Sequence, residues 1–213
     1  MSKQGASGSR RTLLLGLTAA ATLPALQGCF PLVAGGVGVG AAMAADRRTS
    51  GAYVEDEGIE WRASSAIRDR MGDAVHVNVT SFNRNVLLTG EAPSEAHRAE
   101  IERVVSRVPN VRGITNEVQI AGISSLTSRS NDSVVTSKVK ARFVDAATFG
   151  ANHVKVVTEA GTVYLLGLVT RREADAASDV ARRTSGVRKV VRVFEYITDD
   201  EARRLEGRST SSQ

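Results

Sequence analysis

The chain carries two similar stretches, HVNVTSFNRNVLLTGEAPSEAHRAE at residues 76–100 and HVKVVTEAGTVYLLGLVTRREADAA at residues 153–177, which align without a gap at an offset of 77 residues. A repeat at a fixed spacing indicates a duplicated structural unit. We therefore predict two copies of one domain, at residues 55–121 and 131–198. The aligned pairs that carry the similarity are His76 and His153, Val77 and Val154, Val79 and Val156, Val86 and Val163, Leu88 and Leu165, Gly90 and Gly167, and Glu95 and Arg172, of which only the last departs in type.

The similarity extends beyond these stretches on both sides. Downstream, PNVRGITNEVQI at residues 109–120 aligns with SGVRKVVRVFEYI at residues 185–197 after a small length change. Upstream, Ile67-Arg68 aligns with Val139-Lys140, both within helical segments. This alignment leaves five extra residues after the first helix of the second copy.

Each copy has the pattern of a helix, a hairpin, a second helix and a last strand. The first helix is predicted at residues 59–71 and 133–144, and apolar residues then alternate along the first strand. A polar turn leads to a second apolar strand, and Ser94 or Thr170 is expected to cap the next helix. The sequence predicts an α+β fold with α-β-β-α-β topology, a mixed three-stranded sheet and both helices on one face.

The first 28 residues have the features of an export signal. Basic residues and no acid precede an apolar stretch at residues 12–26, which is too short for a span of about 20 residues. Leu26-Gln27-Gly28-Cys29 then resembles the lipobox of bacterial lipoproteins, and Cys29 is the only cysteine in the chain. The resemblance implies cleavage before Cys29, lipidation of its thiol and acylation of the new N-terminus.

Two alternatives remain open for this segment. It could be an ordinary secretory peptide with an incidental cysteine, and the paired arginines at residues 10–11 also resemble a twin-arginine signal. Phe30 follows the cysteine, where aspartate would retain some lipoproteins in the inner membrane, so an outer-membrane location is expected. Three acyl chains would hold the protein durably, since each buried methylene contributes about 0.8 kcal/mol.

Residues 29–54 are predicted to connect the lipid to the folded domains as a flexible tether. The small apolar residues at 32–46 could instead lie against the bilayer surface. Residues 199–213 are expected to form a polar tail that begins as a short helix and then frays.

The two copies differ in net charge. Loss of residues 1–28 lowers the formal charge from +5 to +2, so the basic precursor gives little support for a nucleic-acid partner, and none is predicted. Residues 55–120 contain eight Lys and Arg against eleven Asp and Glu, whereas residues 131–197 contain eleven against seven. The second copy is therefore the one suited to an anionic surface.

The element order, the glycine that closes the second strand and the Val-Arg pair before the last strand resemble the BON domain. The second copy carries the more specific match, in NDSVVTSKVKARF at residues 131–143 and LLGLVTRREADAASDVARRTSGVRKV at residues 165–190. Together with the lipobox, the chain resembles dual BON-domain outer-membrane lipoproteins.

This resemblance implies a non-enzymatic lipoprotein whose folded part faces the periplasm. It implies recognition of an anionic, phosphatidylglycerol-like membrane through the second BON domain and a role in envelope integrity. It also implies enrichment at the division site and a link to the outer-membrane protein assembly machinery.

The first helix of the second copy supplies candidate phospholipid-binding residues. At 100° per residue, Val135, Val139 and Phe143 form the predicted core stripe, which leaves other side chains to face outward. Apolar groups beside cations are typical of an interfacial helix. The candidates are Val134, Lys138, Ala141, Arg142 and Val144, together with Phe149 in the five-residue insertion.

Other interpretations of the same residues remain open. Val134 and Val144 could pack against the other copy, and the related proteins carry an aromatic residue where Val134 stands. The rival function is a protein-binding module that docks on an envelope assembly or division partner. Sensitivity to salt and to anionic headgroups would separate the two.

Catalysis is not expected from this sequence. His76, His97 and His153 are the only histidines, and two of them begin equivalent strands. No Cys or His spacing typical of a metal site occurs, and the Ser and Thr residues lie in turns and caps without a base nearby in sequence. We therefore predict no cofactor, no metal and no small-molecule substrate.

Overall fold

The structure is a computed structural model, and it describes residues 46–210. The first copy contains α1 (Ser50–Met71), β1 (His76–Phe82), β2 (Asn85–Ala92), α2 (Glu95–Val105), β3 (Gly113–Asn116) and β4 (Gln119–Ile120). The second contains α3 (Leu126–Ala146), β5 (Lys155–Glu159), β6 (Thr162–Val169), α4 (Arg171–Arg182) and β7 (Lys189–Tyr196). A final helix, α5, covers Asp199–Thr210, and 3-10 turns at Gly72–Ala74 and Ala151–His153 precede β1 and β5.

Each copy forms one mixed sheet around its second strand. Strand β2 pairs antiparallel with β1 and parallel with β3 and β4, which are two pieces of one interrupted edge strand. Strand β6 pairs antiparallel with β5 and parallel with β7. The predicted α-β-β-α-β topology with a mixed sheet is confirmed in both copies.

Both helices of each copy cover the same face of their sheet. In the first copy, Ile59 on α1 and Ile101 on α2 share a buried core with Val86 and Leu88 on β2. In the second copy, the predicted stripe Val135, Val139 and Phe143 is buried against β5, β6 and α4, as expected from its helical spacing.

One aspartate fastens the first helix of each copy to its hairpin turn. Asp56 on α1 accepts hydrogen bonds from the backbone N–H groups of Asn83 and Arg84 at 2.8 and 2.7 Å. Asp132 on α3 accepts from those of Ala160 and Gly161 at 2.9 and 2.8 Å. Asp56 and Asp132 are therefore equivalent, at an offset of 76 residues.

This equivalence corrects the alignment of the first helices. The buried residues Ile59, Ala63 and Ile67 correspond to Val135, Val139 and Phe143, so Ile67 aligns with Phe143 and not with Val139. The sequence alignment was displaced by one helical turn, because residues four apart share a helix face. The second copy therefore has one extra residue after this helix, and not five.

The alignment also shifts at the start of the second helix. Both predicted caps are confirmed: the Ser94 hydroxyl accepts from the backbone N–H of His97, and Thr170 forms a capping box with Glu173. Two residues separate β2 from α2, whereas Thr170 alone separates β6 from α4. The first copy thus has one extra residue here, which explains the mismatch of Glu95 with Arg172.

The two copies pack through the sheet faces that lie away from their helices. Polar bonds surround the contact, including one from Lys155 Nζ to Glu60 Oε1 at 2.8 Å and one from Asn83 Nδ2 to Glu195 Oε2 at 2.9 Å. The order of layers is helices, sheet, sheet, helices. The buried apolar residues of this contact are Phe82 and Leu87 from the first copy and Tyr164, Leu166 and Leu168 from the second.

Residues 46–54 are part of the folded structure, which corrects the tether predicted over residues 29–54. Arg47 is buried and donates to Glu173 in a bidentate pair, to the carbonyl oxygen of Leu168 and to Glu206 on α5. Arg48 pairs with Asp56 at 2.8 Å. Because Arg47 is fixed by this buried ion pair and α1 begins at Ser50, residues 47–54 do not belong to a flexible tether.

Helix α5 is joined to the second copy through Arg47. Ala202 is buried, and Glu206 accepts from Arg47 Nη2 at 2.6 Å. The expected short helix in the tail is therefore present, and it contacts the segment that precedes α1. Within residues 46–210, no helix combines the length and apolarity needed to cross a membrane.

Candidate functional site

The outer side of α3 presents two exposed valines. Val134 is 51% exposed and Val144 is 68% exposed, whereas Val135 and Val139 between them are buried. The alternative that Val134 and Val144 pack against the first copy is wrong, because the copies meet through their sheets and α3 lies in an outer layer. One apolar stripe of α3 is thus buried in the core of the second copy, and two other apolar side chains of the helix are exposed to solvent.

A shallow, open depression surrounds Val134. It is lined by Ser133, Val134, Ser137, Lys138 and Ala141, and its surface is mainly apolar. The Lys138 ammonium has no hydrogen bond or ion pair among the described residues, so it is free to contact an anion. Three of the six candidates, Val134, Lys138 and Ala141, thus share one surface.

The other candidates on α3 have different surroundings. Arg142 is exposed but donates a hydrogen bond to the backbone carbonyl oxygen of Arg183, at the end of α4. Its charge remains near the surface, although its position is fixed by α4. Val144 lies ten residues from Val134, near the end of the helix, and outside the depression.

Phe149 does not lie with this group. Its ring packs edge to face on the buried Phe143, with the centroids 5.0 Å apart, and it is half-buried against the core of the second copy. Phe149 is therefore the only one of the six candidates that is not exposed, and its part in phospholipid binding stays a prediction. The insertion after α3 is of one residue and not five, which leaves Phe149 close to the end of that helix. Cys29, the predicted lipidation site, lies outside the described residues.

The first copy has an exposed aromatic residue that sequence analysis overlooked. Trp61, the only tryptophan, is 74% exposed on α1, and Val54 lies two turns before it on the same face. At the corrected offset, Trp61 occupies the position of Ser137 beside the depression on α3. The helical period would have shown this, because Trp61 lies opposite the stripe of Ile59 and Ala63.

A second group of polar side chains lies between the copies. His76 Nδ1 is 3.2 Å from Glu91 Oε2, and donor atoms of His76, Glu91 and Glu159 lie within 4.8 Å of one another. Burial raises the pKa of Glu159, the hydrogen bond from Asn78 lowers it, and the nearby Glu91 charge raises it again, leaving a net increase. Sequence spacing could not reveal this group, because Glu159 comes from the other copy.

His153 is the repeat equivalent of His76, but its surroundings differ. Its Nδ1 lies 3.7 Å from Glu173, whose carboxylate is paired with Arg47. Burial lowers the pKa of His153, and the positive charge of Arg47 lowers it further. Burial alone would raise the pKa of Glu173, but the hydrogen bonds and charge of Arg47 outweigh it and hold that pKa at about 2.

Comparison with known proteins agrees with this architecture. The BON domain family matches residues 62–122 and 131–198. The chain is 37% identical to "Outer membrane lipoprotein DolP" of Haemophilus influenzae, covering 81% of this chain and 90% of that protein.

Two further relatives are proteins of similar length. The "21 kDa hemolysin" of Actinobacillus pleuropneumoniae is 33% identical, over 71% of this chain and 79% of that protein. "Osmotically-inducible protein Y" of Escherichia coli is 26% identical, over 66% of this chain and 72% of that protein. The duplicated fold, the family match in both copies and the similarity over most of the chain agree: the chain belongs to the BON-domain family, as a two-domain lipoprotein of the DolP type.

Proposed function

We propose that this protein is a non-enzymatic outer-membrane lipoprotein that binds anionic phospholipid through helix α3 of its second BON domain. Cys29 anchors it, the folded part faces the periplasm, and the bound state supports envelope integrity, including at the division site. The observation that carries the proposal is the exposed pair Val134 and Val144 on a helix that also presents Lys138, which has no ion pair within residues 46–210.

The chemistry of this face suits a membrane surface. A shallowly inserted helix places apolar side chains below the headgroups and cations among them. Val134 and Ala141 supply the apolar part, and Lys138 supplies a charge with no competing partner among the described residues. The net positive charge of the second copy acts in the same direction.

The contact alone is expected to be weak. Each basic side chain near an anionic surface contributes about 1 kcal/mol, and less at higher salt. Two partly inserted valines add at most about 1.5 kcal/mol each. A total of about 4–5 kcal/mol corresponds to half-saturation at roughly millimolar lipid or below, so the contact is measurable without the anchor. The lipid anchor strengthens it further, because it holds the domain near the bilayer and raises the effective concentration of the helix there.

A second candidate function is docking to an envelope protein, such as the outer-membrane assembly machinery. The observation that favours it is the exposed Trp61 beside Val54 on α1, since aromatic anchors dominate many protein interfaces. The first copy has an excess of acidic residues, which suits a protein partner better than an anionic bilayer.

Vesicle co-sedimentation of residues 46–213 tests the lipid proposal. Vesicles containing phosphatidylglycerol are compared with purely zwitterionic ones, for the wild type and for Val134→Glu with Val144→Glu. We expect binding that requires the anionic lipid, weakens with salt, and falls at least tenfold in the double variant.

The matched control places the same two charges on the other copy, as Val54→Glu with Trp61→Glu. It should bind like the wild type, and circular dichroism should show that both variants are folded. Failure of the wild type to bind either vesicle would refute the lipid proposal and favour docking to a protein.

A further inference from the structure

The side chains of His76, Glu91 and Glu159 converge at the contact between the two BON domains. His76 on β1 and Glu91 on β2 are directly paired across the antiparallel ladder. Glu159 ends β5 of the second domain and reaches across to the first, where its Oε2 accepts from Asn78 Nδ2 at 2.7 Å. The group therefore exists only when the two domains are packed together.

Both carboxylates are buried without a cationic side chain. Glu91 is 6% exposed and Glu159 is 7% exposed. Within residues 46–210, no Lys or Arg nitrogen lies within 4.0 Å of either carboxylate, and the only side-chain hydrogen bond of Glu91 is the one with His76. In this part of the chain the Glu91 carboxylate is thus buried with no side-chain partner outside the group.

Two buried carboxylates without a neighbouring cation are energetically unfavourable. Each buried charge without a counter-ion costs several kcal/mol (about 3–5 by mutation), and two carboxylates so close repel each other. Arg129 lines the adjoining cavity, but among the described residues it forms no ion pair within 4.0 Å of either carboxylate, and its Nη2 donates to the carbonyl oxygen of Ser124 at 2.9 Å. Asp132 lines the same cavity and adds further negative charge.

The second domain provides an internal comparison. Its equivalent histidine, His153, also lies beside a buried glutamate, Glu173. There the guanidinium of Arg47 supplies the positive charge, at 2.8 Å. No described Arg or Lys takes that role at the His76 group, where a second carboxylate is present instead.

We propose that His76, Glu91 and Glu159 bind a divalent transition-metal cation, with Zn²⁺ as the best fit, which clamps the two BON domains together. One imidazole and two carboxylates are ligands that Zn²⁺ accepts, whereas Mg²⁺ and Ca²⁺ prefer oxygen alone. Ligands at about 2.1 Å from a tetrahedral metal lie about 3.4 Å apart, so donor atoms now within 4.8 Å need to approach by about an ångström.

The cavity beside the group completes the site. It has a volume of about 220 Å³ and is lined by His76 and Glu159 among other polar residues. A cavity of this size admits water, which can take the fourth position around the metal. The metal would neutralise both carboxylates and bind the native contact between domains, so it would also stabilise the fold.

Calorimetric titration of the full lipoprotein in detergent with ZnCl₂, after treatment with a chelator, tests this inference. We expect one Zn²⁺ per chain, and a rise in the thermal unfolding midpoint when Zn²⁺ is present. The variants His76→Ala and Glu159→Gln should each weaken binding at least tenfold and remove that rise. Glu159→Gln keeps the shape of the side chain, so it should remain folded.

His97→Gln is the matched control, because His97 is partly buried on the same domain but lies outside the group. It should bind Zn²⁺ like the wild type. The inference is overturned if the wild type binds no Zn²⁺, or if the two cluster variants bind as tightly as the control.

Discussion

At the scale of single residues, the pair of Arg47 and Glu173 has the clearest energetic consequence. Arg47 is buried, it lies just before α1, and its guanidinium donates two hydrogen bonds to the carboxylate that caps α4. Removing one member of such a pair leaves an uncompensated buried charge. The pair therefore links the segment before α1 to the second domain.

The pH dependence of stability follows from this pair. The pKa of Glu173 is about 2 in the folded protein and near 4.5 when unfolded, so its stabilising effect is complete above pH 4.5 and is lost as the pH falls through 2. The effect amounts to about 3 kcal/mol at most. Urea unfolding of Glu173→Gln should show lower stability at pH 7 and a difference from wild type that shrinks toward pH 2.

Asp179→Asn is the control for that series. Asp179 pairs with Arg182 on the exposed side of α4, so its removal should leave the acid dependence almost unchanged. A constant difference between Glu173→Gln and the wild type from pH 7 to pH 2 would contradict the assignment.

Residues that follow the helical spacing could be predicted from the sequence, whereas residues whose partners lie far away along the chain could not. Val135, Val139 and Phe143 were placed correctly in the core, because helical spacing is visible in the sequence. Arg47 appeared to belong to a flexible tether, because its partner Glu173 lies 126 residues away. Local pattern carries no information about such a partner.

At the scale of elements, Asp132 and Asp56 fix each first helix to the hairpin that it covers. Asp132 accepts from two adjacent backbone N–H groups of the β5–β6 turn, where Ala160 and Gly161 have positive φ angles of 48° and 72°. Without this acceptor, two donors of a strained turn would lose their partner.

Asp132→Ala should therefore destabilise the protein by about 2–4 kcal/mol in urea unfolding. Asp145→Ala on the same helix is the control, because Asp145 is exposed and should change stability by less than about 0.5 kcal/mol. Equal effects of the two substitutions would show that the fastening contributes little.

The boundaries of elements were less predictable than their order. The sequence predicted the two strands, the caps and the topology, because alternation and capping are local signals. It displaced the alignment of the two first helices by one turn, since Val139 and Phe143 both fit the same apolar stripe. The alignment from the sequence and the corrected one are distinguished only by the hydrogen bonds that Asp56 and Asp132 accept from their turns. The corrected alignment also places Phe149 close to the end of α3.

At the scale of the whole molecule, the two sheets pack against each other and leave the helices outermost. A signal for this arrangement was present in the run of apolar residues along β6, where every residue from Val163 to Val169 is buried. A strand with one solvent face alternates, whereas a continuous apolar run is typical of a strand buried on both faces. This packing exposes α3 and brings Glu159 to His76.

The central claim is that the face of α3 around Val134 enters an anionic bilayer. Residues 46–213 contain no cysteine, so Val134→Cys provides one site for an environment-sensitive fluorophore, and Trp61→Cys provides the matched site on the first domain. With phosphatidylglycerol vesicles, we predict a blue-shifted, brighter emission from the label at residue 134, no change at residue 61, and no change with zwitterionic vesicles. An unaltered emission at residue 134 in protein that co-sediments with the anionic vesicles would contradict the account.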